Sequence, residues 1–287
     1  MNARGPVSTR VFTRGMVLTS VIAILAVPMA LVIVHFTAGG KAHVVLTPPA
    51  GATEAELNLS AAILTKRFSQ LHLSTTARVH RGAVVLSYPP NLSTDVITRL
   101  AAPGRFSVRR VVGTRPVAAA EQLLSRALRA GVVLPPAVLD RFLSTRNCES
   151  VSRLARGALP TQWLVGCDAD DSIYLMEPTV LTGGGVKSAF ARSPDPQSSG
   201  PWRVEIGLSV AGQAAFTRLT QQAIGGEVAF ALDGLVVRTS MITEPIAVAP
   251  ELVFGSMGEA ALETAAILGS GTLPFGFSFG AFGTRDT

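Results

Sequence analysis

The chain has 287 residues, a net charge of +6, 48% hydrophobic residues and only 15% charged ones, with a mean hydropathy of +0.40. That hydropathy points to a membrane segment, while the length excludes a many-span transporter joined to a large soluble body, since each span takes about 20 apolar residues. The charge excess is too slight for a nucleic-acid binder, and part of it is local, because Arg4, Arg10 and Arg14 lie before residue 40 with no acid among them.

Met16 to Phe36 holds no formally charged residue apart from the titratable His35. As a helix, such a run is about 30 Å long, the thickness of a bilayer core. A secretory signal has an apolar core of roughly 7–15 residues and a small-x-small cleavage site. This run is longer, and Ala38-Gly39-Gly40 is a poor site, so a retained anchor over 16–36 is predicted. The three arginines before it and the lone Lys41 after it place residues 1–15 in the cytoplasm and the bulk of the chain outside, as a single-pass protein of the cell membrane.

Beyond the anchor, residues 41–112 read as β-α-β-β-α-β. His43–Thr47 is a strand, and Thr53 with Glu56 forms a capping-box pattern. Leu57, Ala61, Leu64, Phe68 and Leu71 then mark one face of a helix. Ala77–His80 and Ala83–Tyr88 make a hairpin about Arg81-Gly82, Ser93 caps a short helix to Leu100, and Arg105–Val112 is a further strand. This order predicts a ferredoxin-like βαββαβ base, one sheet with two helices on one face.

Residues 113–172 read as a helical connector, with helices over 117–130 and 137–143. Cys148 and Cys167 fall within it. An even cysteine count outside the cytoplasm favours a disulfide between them, with free thiols the alternative; zinc is disfavoured because no CxxC and no nearby histidine accompanies them. A second small α+β unit, the head, spans 173–275, and a Phe-rich tail follows over 276–287. In the head, Trp202–Leu208 alternates as a strand and Val210–Ile224 is a helix. Val228–Leu232 and Leu235–Arg238 form a hairpin on an Asp-Gly turn. A strand near Leu252–Phe254 leads through Ser256 and Glu259, a second capping-box pattern, into a helix to Leu268. The overall class is α+β, with one transmembrane helix in front.

No catalytic constellation stands out, and no cofactor or metal is expected. The histidines His35, His43, His72 and His80 have no acid or cysteine at metal-ligand spacing. Asp168-Ala169-Asp170-Asp171 lacks the glycine and distal glutamate of a calcium loop and reads as a solvated turn. Gly185-Val186-Lys187-Ser188 lacks the spacing of a phosphate loop.

An ordered set of short motifs carries a family resemblance. Trp202-Arg203-Val204-Glu205-Ile206 precedes Gly212 and Phe216-Thr217-Arg218-Leu219-Thr220. Leu232-Asp233-Gly234 leads to Ile242-x-x-Pro245-Ile246, and Gly271-Thr272-Leu273-Pro274 closes the unit. In this order they resemble the first extracytoplasmic domain of SecD, the accessory subunit of bacterial Sec protein export. The base is similar to the preceding part of that family through Ile63-Leu64-x-x-Arg67, AVVLSYPP and FSVRRVV, and the cysteine pair is similar to that of actinobacterial members. The resemblance covers about residues 16–275. It departs at Arg238-Thr239-Ser240, where the family has Ser-Ala-Pro, at Val248-Ala249 in place of Gly-Gly, and at Thr264-Ala265 in place of Leu-Ala. Members of the family continue from their GALP into further membrane helices that carry a proton pathway. This sequence ends at Thr287, so the expectation is a form without the proton-driven step. The resemblance implies a non-enzymatic accessory of export that binds emerging polypeptide or subunits of the translocon. The alternative is an envelope scaffold or interaction module that keeps the fold without an export role.

Overall fold

The structure, a computed structural model, describes residues 41–116, 135–144, 148, 159–195 and 200–284. The anchor expected over 16–36, the cytoplasmic segment 1–15 and the helix expected over 117–130 lie outside the described residues. Among the described residues no helix is long and apolar enough to cross a membrane.

The base is built from β1 (Ala42–Thr47), α1 (Glu54–Gln70), β2 (Thr76–His80), β3 (Ala83–Tyr88) and α2 (Thr94–Leu100). The first capping box forms as its sequence dictates. Thr53 Oγ1 accepts from the Glu56 amide at 3.3 Å, and the Glu56 carboxylate accepts from the Thr53 amide at 2.9 Å. This satisfies two of the amides that every helix start leaves open. Val44, Leu46, Val84 and Leu86 on the sheet meet Leu64, Phe68, Ile97 and Leu100 on the helices in one buried core.

Mixed α+β architecture holds throughout, but the ferredoxin-like closure of the base differs from expectation. The strand expected over Arg105–Val112 is β4 (Phe106–Pro116), and it leaves the base for a second sheet. Its place beside β1 is taken from the far end of the chain by β13 (Ser278–Phe279), so the base sheet runs β13-β1-β3-β2, and β14 (Gly283–Thr284) also pairs with β1. The physical reason lies in β4 itself, because both of its faces are committed elsewhere. Phe106 and Val108 enter the head core, while Arg109, buried on the opposite face, pairs with Ala229.

β4 pairs along one edge with β10 (Glu227–Leu232) and along the other with β6 (Ser172–Met176) and the short β7 (Leu181–Thr182). β6 pairs with β5 (Leu164–Cys167), which touches β11 (Leu235–Met241) through the parallel bridge Leu235–Cys167, and β11 pairs back to β10. The five strands β10-β11-β5-β6-β4 thus close into a ring. Leu164, Tyr174, Met176, Ala229, Ala231 and Val236 fill it. The ring is tight, since a Cβ on Gly166 would lie 2.7 Å from the Gly234 carbonyl oxygen and 2.8 Å from Met176 Cε. Within the stretch expected as a connector, Leu164–Cys167 is therefore a strand. Its outer face packs against α3 (Pro136–Ser144) and Cys148, and Cys148 and Cys167 are joined by a disulfide with Cα atoms 5.7 Å apart.

The head adds a three-stranded antiparallel sheet in the order β12 (Glu251–Gly255), β9 (Trp202–Leu208), β8 (Val186–Arg192), with α4 (Val210–Gln222) and α5 (Gly258–Ser270). The second capping box does not form. The N-cap of α5 is Met257, without a side-chain cap. α5 instead gains its stability from burial on two sides. Ala261, Ala265 and Leu268 enter the head core, and Ile267 enters the base core. One helix therefore belongs to both halves of the molecule.

Candidate functional site

The site is built around Pro103-Gly104-Arg105, where the chain crosses from base to ring. Arg67 on α1 is fully buried and donates from every nitrogen of its guanidinium. Nε bonds Ser270 Oγ, Nη1 the carbonyls of Leu100 and Ala102, and Nη2 the carbonyls of Pro103 and Gly271. The carbonyls at the ends of α2 and α5, open by helix geometry, thus share one donor. Burial lowers the Arg67 pKa to about 10, with the charge of Asp233 acting against that, so the group remains a cation at neutral pH. Gly104 has φ +76, and a Cβ there would lie 2.5 Å from Arg67 Nη2. Glycine is required both by conformation and by space.

Asp233 and Gly234 form the two-residue turn between β10 and β11, with φ of 51 and 86 respectively, as an Asp-Gly hairpin demands. The Asp233 carboxylate accepts from the amides of Gly104 at 2.8 Å and Arg105 at 3.0 Å. The Asp233 amide donates back to the Arg105 carbonyl at 3.0 Å, Thr272 Oγ1 donates to the Gly104 carbonyl at 3.1 Å, and the Leu273 amide donates to that of Pro103 at 2.8 Å. The Leu-Asp-Gly turn and the Gly-Thr-Leu-Pro segment, far apart in sequence, meet on the same three residues.

Beside this junction, at the mouth of the ring, lies a cavity of about 440 Å³. Its apolar wall is Phe106, Leu159, Pro160 and Leu164; its polar lining includes Arg105, Arg109, Asp233 and the segment Thr182-Gly183-Gly184. Arg109 is 2% exposed. Its Nη1 donates to the carbonyls of Gln162 at 2.7 Å and Glu177 at 2.9 Å, and its Nε donates to Ser107 Oγ at 3.2 Å. Desolvation lowers its pKa to about 10, leaving it charged at neutral pH. The neighbouring Arg110 instead forms a bidentate pair with the Glu177 carboxylate.

Of the motif residues, Asp233 and Gly234 line the cavity. Gly271, the C-cap of α5 at φ +99, belongs to the junction through its carbonyl, and Pro274 is half-buried just beyond it. The remaining five are not brought to it. Phe216 and Leu219 are core residues, with the Phe216 ring centroid 6.2 Å from that of Phe230. Gly212 exists for close approach, since a Cβ there would lie 2.6 Å from the Gly185 carbonyl oxygen. Its amide is capped by Ser209 Oγ at 3.0 Å. The Trp202 ring packs on Gly258. Pro245 is exposed, next to Ile246, whose amide donates to Thr220 Oγ1 at 2.9 Å. Arg109 and the junction role of Arg67 were missed. The available signals were an arginine inside the apolar face Leu64–Phe68, and an arginine on the strand face that carries Ser107 and Val111.

The acidic turn at Asp168 is closed by its own hydrogen bonds. Asp168 takes the amides of Asp170 and Ser172 on one oxygen, both at 2.9 Å, and the Tyr174 hydroxyl at 2.7 Å on the other, closing the β5–β6 turn. Among the described residues no group of three or more His, Cys, Asp or Glu is placed to hold a metal ion.

A ring of strands with a two-layer head joined to a small base defines a mixed α+β class of fold. Residues 159–275 match the family model described as SecDF, P1 head subdomain. This part of the chain is similar to a SecDF P1 head. Two solved structures share the fold. One, a crystal structure of SecDF in super-membrane-facing form, aligns with a TM-score of 0.56 at 21% identity over 92% of this chain and 35% of that one. The other, a structure of SecDF as a membrane component that enhances protein export, aligns with a TM-score of 0.51 at 21% identity over 83% of this chain and 98% of that one. The chain spans about a third of the length of the first, 35%. No curated protein matches it.

Proposed function

We propose that this protein is an extracytoplasmic accessory of protein export, held at the cell membrane by one N-terminal span, whose head binds emerging polypeptide without turnover. The match of residues 159–275 to the SecDF P1 head and the export role named for one SecDF of similar fold support export as the setting. The base over 41–112, the connector over 113–172 and the head over 173–275 serve as its working units in this reading, with Cys148 and Cys167 pinning the connector.

The observation that carries the reading is the cavity at the mouth of the ring. Its apolar wall stands beside the backbone of Gly183 and Gly184 and beside the short strand β7. An extended segment is recognised by such a combination, in which main-chain groups supply hydrogen bonds and an apolar pocket takes a side chain. The Asp233–Gly104 junction fixes one wall of the pocket relative to the base.

A photo-crosslinking residue at Thr182, exposed on the cavity rim, is the direct test. In cells it should capture secretory precursors, whereas the same residue at exposed Thr98 on the base should not. Capture of none at Thr182, with secretion unchanged on deletion and a non-export envelope complex co-purifying, would sink the reading in favour of a scaffold that keeps the fold.

A further inference from the structure

The two buried arginines of the described structure are used differently. Arg67 spends all of its nitrogens on five protein acceptors. Arg109 bonds through Nε and Nη1 only, and its Nη2 has no partner among the described residues. The buried, unpartnered side-chain atoms of the described residues are Gln70 Oε1 and Thr75 Oγ1, so Nη2 opens onto free space, and the free space that Arg109 lines is the cavity. A guanidinium that is 2% exposed has lost most of its hydration, and a buried cation without an anion is costly.

Among the described residues no such anion is supplied. Both oxygens of Asp233, the carboxylate that lines the cavity, accept from the amides of Gly104 and Arg105. The Glu177 carboxylate is held by Arg110, and only its main-chain carbonyl reaches Arg109. Arg105 adds a second positive side chain to the lining. Of the other ionisable groups that line the cavity, Arg105 has an interaction of its own and the Asp233 carboxylate is bonded to two amides.

We propose that the cavity holds a carboxylate of the bound polypeptide on Arg109 Nη2, with Phe106, Leu159, Pro160 and Leu164 enclosing the apolar part of the same segment. The carboxylate belongs to an acidic side chain or to a chain end. This rests on the reading of the head as a polypeptide-binding element, and it adds selectivity to it: segments bearing an acid next to apolar residues are held in preference to uniformly apolar ones.

The test uses the full chain in detergent micelles and fluorescence anisotropy with three forms of one apolar labelled peptide. The first has a central Glu and an amidated end, the second has Gln and an amidated end, and the third has Gln and a free terminal carboxylate. A hydrogen bond to a charged acceptor is worth more than one to a neutral acceptor. The first or the third form should therefore bind about fivefold tighter than the second, and which of them does so identifies the source of the carboxylate. The advantage should shrink with added salt and vanish in Arg109→Gln, whose folding is checked by its melting curve. Should that variant not fold, the Glu-against-Gln ratio of the unaltered protein and its salt dependence still decide. Equal affinity for all three forms, with crosslinking at Thr182 retained, overturns the carboxylate site and leaves polypeptide binding standing. No affinity for any form, together with no crosslinking at Thr182, overturns both.

Discussion

At the scale of single residues, Gly104 is constrained twice over. Its φ of +76 disfavours any side chain, and its Cβ direction is blocked by Arg67 and Ile267. Gly104→Ala should lower the unfolding free energy by about 2–4 kcal/mol, from backbone strain and overpacking together, as read by urea denaturation in detergent. Arg67→Met should lose about 3–5 kcal/mol, because several buried carbonyls lose their donor at once. Asp233→Asn tests the turn separately. It keeps the side-chain shape and tolerates positive φ, so its loss should be smaller than that of Asp233→Ala, which removes both acceptors for Gly104 and Arg105. The Asp-Gly turn was legible in the sequence, because the pair has a strong local preference. What it binds was not legible, since Gly104 lies 129 residues away from Asp233 and no local pattern reports so distant a partner.

Among the elements, helices and hairpins were legible and the assignment of strands to sheets was not. The helical face of α1, the capping box at Thr53 and the hairpin β10–β11 follow from spacing and turn chemistry, which are local. β4 was assigned to the base because a β-α-β-β-α-β order is completed by it, whereas in the structure β13 occupies that place. A two-residue strand among Phe, Gly and Ser gives almost no periodic signal, and its pairing with Leu46 and Thr47 is a contact across most of the chain. If β13 holds the edge of β1, Phe279→Pro should speed hydrogen exchange of amides along β1 while those of β10 and β11 stay protected. Unchanged exchange at β1 would refute that closure. The failed capping box at Ser256 has the opposite lesson. Its sequence pattern was present, but α5 is fixed by burial between two cores and its first turn follows that packing.

Two further expectations belong to the β5–β6 hairpin and the base core. Reduction of the disulfide, or Cys148→Ser, should cost about 3 kcal/mol through loop-closure entropy, since Cys148 and Cys167 are 19 residues apart. It should also expose Trp163, which packs with the bridge, giving a shift in tryptophan fluorescence. The chain has two tyrosines, and both hydroxyls are held above the ordinary value. Burial raises Tyr88; burial, and then the bond to Asp168, raises Tyr174. A raised folded-state pKa means that the unfolded chain loses the proton first. This contribution to stability is complete below the ordinary tyrosine value of about 10 and is lost as pH rises above it. Phenolate absorbance should therefore appear at more alkaline pH than in the urea-unfolded chain; coincident curves would contradict the burial of both rings.

For the molecule as a whole, base and head are not beads on a string. α5 contributes to both cores, Arg67 ties α1 to the ends of α2 and α5, and Arg99 on α2 forms a bidentate pair with Glu263 on α5 at 2.7–2.8 Å. The last of these is partly exposed and is worth little alone; the buried junction carries the coupling. This frame sets the cavity at the ring's mouth against a fixed wall, with an apolar side, exposed main chain and one cation whose outer nitrogen has no partner among the described residues. The central claim is that the head binds emerging polypeptide there. Photo-crosslinking from Thr182 in growing cells tests it most directly. The account predicts adducts with secretory precursors that disappear when precursor synthesis is stopped and are absent from Thr98. Adducts of equal yield at both positions, or none at Thr182 while export proceeds, would contradict it.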